Sequence, residues 1–336
     1  MEYFSYALRR LAAFIPTLLV VSAMIFFMLR LSGVDPISVM LGERQATTGV
    51  IEALRTQFHL NEPIAVQYLR WLLSALRGDF GVDYINRQNV GELILSRTPV
   101  TLGLVVLSNL MGTAAAVLFG VLAAIRRNTW VDQLISVFVL FLTAMPSFLT
   151  AILVLMASAK FFPFLSFTGA FDSFGEYAGR IFLPSVVLSF NMLALVTRIV
   201  RSGMIEQLKS HHITTARSKG LPGSVIIWKH AFRNASIPVL TIVSIFAGTT
   251  ISGAVLVESV FSLPGLGGLL VNGIKDHNYP VVQAILLLLV VLFLLIGLLF
   301  DLIYARIDPR IRLFSNSARI ETDLMKADLI KEGEYA

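Results

Sequence analysis

Apolar residues run through six stretches of the sequence without a single charged residue. These stretches are residues 11–29, 102–125, 133–159, 181–197, 235–257 and 284–300. About 20 residues at a rise of 1.5 Å cross a hydrocarbon core of roughly 30 Å. The pattern therefore predicts an all-α polytopic membrane protein with six transmembrane helices. We interpret 133–159 as one long helix in which Pro146 introduces a kink.

The segment between the first two predicted spans contains an amphipathic pattern. Pro63 suits the first turn of a helix and Gly78 suits its end, so the sequence predicts a short helix between them. One face carries apolar residues at helical spacing, namely Ile64, Tyr68, Trp71, Leu72, Ala75 and Leu76. This helix either lies on the outer leaflet, with Tyr68 and Trp71 as interface anchors, or forms a platform for an extracytoplasmic partner.

The loop between the fourth and fifth predicted spans has the most informative pattern. It contains two short helical segments separated by a Gly-Leu-Pro-Gly turn at 220–223. Ala216 and Ser218 are small, and Arg217 and Lys219 place positive charge beside them. The loop is either a generic basic inner loop or a compact knob against which a partner packs closely.

Composition and charge agree with a membrane protein of defined orientation. Of 336 residues, 56% are hydrophobic and only 14% are charged, against about 25% charged in soluble domains. The mean hydropathy is +0.78. Basic residues are concentrated in the short segments on one side, which predicts that both termini are cytoplasmic. The basic balance is then a topology signal, and we do not expect nucleic-acid binding.

The chain shows no chemistry of its own that would drive transport. The six stretches lack the ionisable groups that ion-coupled transporters and membrane proteases keep at bilayer depth. The sequence also lacks a Gly-x-x-x-x-Gly-Lys-Ser/Thr loop, so energy for uphill transport has to enter through a partner. It contains no cysteine and no expected metal site. Several polar uncharged residues lie in these stretches, where such groups either join helices or line a water-filled path. The candidates for the path are Asn191, Thr249, Thr250 and Ser252.

Several ordered motifs resemble one family of membrane proteins. Thr214-Thr-Ala-Arg-Ser-Lys-Gly-Leu221, followed by the stretch from His230 to Pro238, is similar to the coupling loop of binding-protein-dependent ABC importer permeases. The outer-loop stretch 60–81 and the stretch from Glu258 to Leu270 resemble further signatures of the dipeptide, oligopeptide and nickel subfamily. The chain resembles the subunit with the long first periplasmic loop. Two departures are Thr214-Thr215 in place of Glu-Ala and an inserted Val34 in the Ser32–Pro36 motif.

The resemblance implies a type I permease fold and a transport complex in the bacterial inner membrane. The expected partners are a second homologous permease subunit, two ATP-binding subunits that hold ATP and Mg²⁺, an extracytoplasmic substrate-binding protein and membrane lipid. This chain then has no ATPase site and no cofactor, and it imports dipeptides, oligopeptides or related small solutes. The alternatives are a self-powered secondary transporter or channel and, with less support, an intramembrane enzyme.

The resemblance also assigns regions and residues. The expected regions are a cytoplasmic N-terminus (1–10), a first span (11–31), a periplasmic loop domain (32–98), a permease domain (99–313) containing the coupling loop 205–234, and a cytoplasmic tail (314–336). The expected coupling residues are Thr214, Thr215, Ala216, Arg217, Ser218, Lys219, Gly220 and Leu221. Candidate contacts for a periplasmic partner are Tyr68, Trp71, Glu258, Pro264, Gly265 and Gly267. We further expect Gly112, Gly120, Gly248 and Gly253 to permit close helix contacts.

Overall fold

The computed structural model of the chain describes residues 2–31, 33–41, 47–161 and 173–307. Within these ranges the chain is helical, with one isolated bridge between Val82 and Asn89. The helices are α1 (Glu2–Leu31), α2 (Pro36–Leu41), α3 (Thr48–Gln57), α4 (Ile64–Leu76), α5 (Val90–Ile125), α6 (Trp130–Ala144), α7 (Ser147–Phe161), α8 (Phe174–Leu208), α9 (His211–Ser218), α10 (Gly223–Val225), α11 (Arg233–Phe261), α12 (Leu266–Lys275) and α13 (Tyr279–Ile307). A π-helical segment, Ile226–Phe232, joins α10 to α11.

The predicted transmembrane helices are present, with one difference. Five continuous helical segments are long and apolar enough to cross a membrane: Ala7–Leu31, Val90–Ile125, Phe174–Leu208, Gly223–Phe261 and Tyr279–Ile303. The sixth apolar region consists of α6 and α7, which meet at an angle of 105°. The described residues therefore contain five unbroken spans and one broken pair.

The prediction of one long helix over 133–159 is wrong, although its break lies at the expected proline. Met145 ends α6 in an extended conformation, with φ −91° and ψ 124°. Pro146 disfavours the helical region at the residue before it and has no N–H to donate, and both effects favour a break here. The chain resumes as α7 one residue later.

The amphipathic helix α4 is confirmed at the predicted position. Pro63 precedes it with φ −55°, and Gly78 follows it in the left-handed region at φ +82°. Its aromatic face packs on α1: the Tyr68 hydroxyl lies 2.9 Å from Ser22 Oγ, and the Trp71 and Phe26 ring centroids are 5.8 Å apart. These two aromatic residues therefore fasten the outer loop to the first span.

Close helix packing depends on glycine, as the sequence predicts. A Cβ on Gly112 would lie 3.2 Å from the Ser189 carbonyl oxygen, and one on Gly120 would lie 2.6 Å from Val200 Cβ. These two glycines let α5 lie directly against α8, the most extensive helix pairing of the described chain. Gly248 and Gly253 play the same part on α11, where an added Cβ would come within 2.6 Å of the Phe293 ring and 2.9 Å of Leu188.

A buried polar contact joins the outer loop to the turn between α12 and α13. The side chain of Asn278 donates to Asp83 Oδ1, and its own Oδ1 accepts from the Tyr84 N–H at 3.3 Å. Burial raises the pKa of Asp83, but hydrogen bonds from Asn86 and the Ile85 N–H lower it, and the net pKa lies below its ordinary value. The carboxylate is therefore charged at neutral pH and keeps this contact.

Some sequence predictions fall outside the described residues. These are residue 1 of the expected N-terminal region, Ser32 and 42–46 of the expected periplasmic loop domain, 162–172 and 308–313 of the expected permease domain, and the tail 314–336.

Candidate functional site

The predicted knob is built on the short helix α9 between α8 and α11. Ile213 and Ala216 are buried and belong to an apolar cluster that includes Val200, Met204 and Ala235. The opposite face is exposed and carries most of the predicted coupling residues, namely Thr214, Thr215, Arg217, Ser218, Lys219, Gly220 and Leu221. The knob thus has one side fixed to the transmembrane helices and one side open.

The structure corrects the role expected for Ala216. The sequence analysis placed it with Ser218 among the small residues that a partner would approach. Ala216 is only 6% exposed and packs inward, whereas Ser218 is exposed. Because α9 has 3.6 residues per turn, Ile213 and Ala216, three apart, share its inner face. Ala216 therefore fixes the knob to its own chain.

Gly220 closes α9 through its backbone conformation. Its φ is +73°, its N–H donates to the Arg217 carbonyl at 2.9 Å, and the Leu221 N–H reaches back to the Ala216 carbonyl at 3.3 Å. This is the Schellman arrangement, in which the residue after the helix adopts the left-handed region that glycine enters without strain. The predicted turn at 220–223 therefore has a defined geometry.

Polar contacts tie the start of α9 to the start of α11. Ser210 Oγ lies 2.8 Å from His212 Nδ1, and Asn234 Nδ2 lies 3.3 Å from His212 Nε2. The π-helical segment Ile226–Phe232 then leads directly into α11. α9 and α11, which extends to the other end of the molecule, are therefore joined by side-chain contacts as well as by the connecting chain.

An ion pair that the sequence analysis missed fastens the same end of α8. Arg201 donates from Nε to Asp132 Oδ1 at 2.6 Å and from Nη2 to Oδ2 at 2.7 Å. Asp132 is 4% exposed and also accepts from the Asn128 N–H at 3.0 Å. The contact joins α8 to the first turn of α6 and, through Asn128, to the turn between α5 and α6. The available signal was an acidic residue in the first turn of a helix, beside an otherwise basic inner surface.

The α11 helix is enclosed by its own chain except along one stripe. It contacts α5, α7, α8, α12 and α13. After Arg233, its exposed residues recur every three or four positions, so they form a single line along the helix. In order along the chain, this α11 stripe is Asn234, Pro238, Thr241, Ile245, Thr249, Ser252, Leu256 and Ser259.

The candidate pathway residues differ in whether they lie on such an exposed line. Thr249 and Ser252 lie on the α11 stripe, and Asn191 begins a similar exposed line on α8 that continues through Leu195 and Arg198. Thr250 is only 9% exposed, and its hydroxyl donates to the Phe246 carbonyl of its own helix at 2.6 Å. The structure therefore brings three of the four candidates to exposed helix faces and buries the fourth.

The α11 stripe differs in chemistry from the exposed face of α13. The exposed residues described on α13 are all apolar, namely Phe293, Leu295, Leu299 and Ile303. More than half of the α11 stripe is hydroxyl or amide residues. An apolar face suits lipid. The Thr249 and Ser259 hydroxyls donate to carbonyls of their own helix, at 3.1 Å and 2.9 Å, and each keeps its capacity to accept a hydrogen bond from a partner or water. The α11 stripe is thus suited to a second subunit or a water-filled path.

At the other end of α11, Glu258 is completely buried and bonded within the chain. Its Oε1 accepts from the Thr101 hydroxyl at 2.6 Å, and its Oε2 accepts from the Gly267 N–H at 2.6 Å. Thr101 Oγ1 in turn accepts from the Leu266 N–H at 2.9 Å. The carboxylate therefore caps the start of α12, where the helix dipole favours negative charge, and joins α5, α11 and α12.

Glu258 and the glycines beside it serve this internal contact. A Cβ on Gly265 would lie 2.3 Å from Glu258 Oε2, and a Cβ on Gly267 would lie 2.4 Å from Val255 Cα. Both glycines are buried and Pro264 is half-buried. Of the predicted partner contacts at this end, Glu258, Gly265 and Gly267 are therefore enclosed by their own chain in this structure. The described residues contain no cluster of His, Asp or Glu suited to a metal ion.

The fold and these sites define the class of the protein. A knob joined to a central helix, among apolar helices long enough to cross a membrane, is the architecture of a type I permease subunit of an ABC importer. The chain belongs to the family described as binding-protein-dependent transport system inner membrane component, whose pattern matches residues 116–313. The N-terminal component of the same family matches residues 3–105.

Relatives and solved structures agree with this assignment. The chain is 36% identical over 310 residues to a probable peptide ABC transporter permease of Sinorhizobium fredii, covering 91% of this chain and 99% of that one. It is 34% identical over 308 residues to the glutathione transport system permease protein GsiC of Escherichia coli, covering 92% and 99%. A chain of the MetNI methionine ABC transporter, in an inward-facing conformation, superposes with a TM-score of 0.54 at 19% identity, covering 64% of this chain and 96% of that chain. The chain is therefore a multi-pass permease subunit of an ABC importer.

Proposed function

We propose that this chain forms half of the translocation path of an importer for peptides or peptide-like solutes in the bacterial inner membrane. The observation that carries the proposal is the knob on α9, which is fixed to α8 and α11 on one side and presents Thr214, Thr215 and Arg217–Leu221 on the other. A permease needs such a surface only if a separate motor acts on it.

The knob transmits the work of the motor to the membrane helices. In the proposal, one of two ATP-binding subunits receives the exposed face of α9, and both hold the ATP and Mg²⁺ that this chain has no P-loop to bind. The contacts of His212 with Ser210 and Asn234 carry the movement of α9 into α11. Switching between inward- and outward-open states then consists of rigid movement of packed helices.

The translocation path lies along the α11 stripe and the exposed line of α8. A second, homologous permease subunit contributes the opposite wall. Asn191, Thr249 and Ser252 line the path and offer hydroxyl and amide groups to a polar solute. Both termini and the knob are cytoplasmic, following the distribution of basic residues. An extracytoplasmic substrate-binding protein delivers the solute at the opposite end, where α4, Pro264 and the start of α12 lie.

The substrate class follows from the relatives. The names of two similar permeases specify peptide and glutathione transport. A short peptide carries amide and carboxylate groups, and the hydroxyl-bearing α11 stripe can exchange hydrogen bonds with them as the solute passes.

Purification under mild detergent tests this proposal. We expect P-loop ATPase subunits and a second permease to co-purify with the chain, and uptake of short peptides into proteoliposomes to require ATP and the binding protein. Uptake that proceeds without ATP would instead support a self-powered transporter.

A further inference from the structure

A positively charged cavity lies where the α11 stripe ends. The cavity has a volume of about 770 Å³ and is bounded by the N-terminal part of α5, the turn after α11, and α12. Its polar lining includes Ser96, Arg97, Ser259, Ser262, Asn272 and Lys275. This end of the molecule is opposite the knob, because α11 begins beside α9 and ends at Phe261.

Two cations in this lining, Arg97 and Lys275, form no salt bridge with a described residue. None of the ion pairs formed by the described residues includes Arg97 or Lys275. The one acidic side chain in the lining is Glu258, whose two oxygens already accept from Thr101 and Gly267. The cavity therefore has two cations against one buried carboxyl group, which interacts electrostatically with Arg97, and several neutral donors. A concave surface with an excess of one sign concentrates ions of the opposite sign.

The cavity is continuous with the proposed path. Ser259 is both the last residue of the α11 stripe and part of the cavity lining. The volume falls within the range of about 300–1,000 Å³ that is typical of small-molecule sites. A solute that leaves this cavity along exposed side chains meets Leu256 and Ser252 next.

We propose that this cavity receives the carboxylate groups of the transported solute, with Arg97 and Lys275 as the residues that bind them. Arg97 offers a planar guanidinium that can bind a carboxylate through two hydrogen bonds, and Lys275 offers a flexible point charge. The inference rests on the proposed function, since it specifies that the solute is a carboxylic acid, such as a peptide with a free C-terminus.

Thiol labelling can test the charge of the cavity, because the chain contains no cysteine. Asn272→Cys and Ser259→Cys each place a single thiol in the lining, in the purified complex reconstituted in nanodiscs. The readout is the ratio of reaction rates with an anionic sulfonatoethyl and a cationic trimethylammonioethyl methanethiosulfonate. We expect Arg97→Gln and Lys275→Gln each to lower this ratio about fivefold. Arg77→Gln is the matched control, because Arg77 is exposed at the end of α4 and lies outside the cavity lining.

Protection by a dipeptide then tests the ligand. Alanyl-glutamate should slow labelling of both cysteines, and alanyl-glutamine amide, which lacks both carboxylates, should not. Equal slowing by the two dipeptides, no slowing by either, or an unchanged rate ratio in the Arg97 and Lys275 variants would overturn the assignment. Slowing by the unliganded binding protein alone would also overturn it, because the cavity would then receive protein carboxylates. Loss of ATPase co-purification, by contrast, counts against the proposed function whatever the labelling shows.

Discussion

Gly220 is the residue of the knob whose backbone conformation matters most. At φ +73° a residue with a side chain is strained by about 1–2 kcal/mol, although a Cβ there would meet nothing within 4 Å in this chain. A large substituent is thus compatible with the fold but projects from the exposed face that we assign to the ATP-binding subunit.

We predict that Gly220→Trp inserts in the membrane normally but lowers ATP-driven uptake at least about tenfold, equivalent to about 1.4 kcal/mol of coupling. Gly220→Asn is the control, since asparagine tolerates the left-handed region and is small. Uptake in proteoliposomes measures both variants. Normal uptake by the tryptophan variant would show that this turn does not couple ATP hydrolysis to transport.

Thr101 provides a second test at the scale of single residues. Thr101→Val keeps the shape of the side chain and deletes the hydroxyl that donates to Glu258 and accepts from Leu266. Hydrogen bonds to charged groups contribute about 1.5–3 kcal/mol, so we expect a loss of stability of that order, seen as a lower midpoint in thermal unfolding of the complex.

Thr98→Val is the matched control for that substitution. Thr98 lies on the same helix, and its hydroxyl donates to the Ile94 carbonyl within α5 at 2.8 Å. Its loss therefore leaves the hydrogen bonds of Glu258 intact. Equal destabilisation by the two valine variants would mean that Glu258 does not hold the start of α12 through Thr101.

At the scale of helices, the start of α6 is held to α8, near the knob, by Asp132 and Arg201. Asp132→Asn removes the charge that binds the guanidinium and should destabilise the complex by about 1–3 kcal/mol, because Arg201 loses a charge-assisted, two-bond partner. ATP-driven uptake should fall as well, since α8 leads into the knob.

The comparison variant for this contact is Arg126→Gln, which removes an exposed charge from the same turn between α5 and α6. We expect a lower unfolding midpoint and slower uptake for Asp132→Asn than for Arg126→Gln. If Asp132→Asn changes neither the unfolding midpoint nor the uptake rate, the ion pair does not hold α6 to α8.

At the scale of the whole molecule, the exposed helix faces differ in whether they meet water or lipid. The α11 stripe is rich in hydroxyl groups, whereas the exposed residues described on α13 are all apolar. We expect a cysteine at Thr249 to react with a water-soluble thiol reagent at least about tenfold faster than a cysteine at Leu295, because only the former faces an aqueous path.

The labelling rates can also be compared with and without nucleotide. In the assembled complex, labelling of Thr249→Cys should change when ATP and the binding protein are added, and labelling of Leu295→Cys should stay low throughout. Similar rates at the two positions would show that the α11 stripe faces lipid.

Sequence alone determined the parts of the structure that depend on local pattern. The apolar runs without charge specified the spans because a bilayer tolerates little else. Pro63 and Gly78 specified α4. Pro146 predicted only a kink in the third span, because proline also lies inside continuous helices of this chain, and neither the break nor the 105° angle between α6 and α7 was predicted. The glycines Gly112 and Gly120 were correctly assigned to close packing, since few other features explain glycine inside a span.

Tertiary structure decided what depends on residues far apart in the chain. Asp132 and Arg201 are separated by 69 positions, and Thr101 and Glu258 by 157, so no local pattern indicated either contact. Which threonine faces outward, Thr249 or Thr250, depends on how α11 is rotated against its neighbours. The sequence thus determined that the chain is a permease and where its knob lies. Only packing determined which faces stay open, because exposure is a property of the assembled helices.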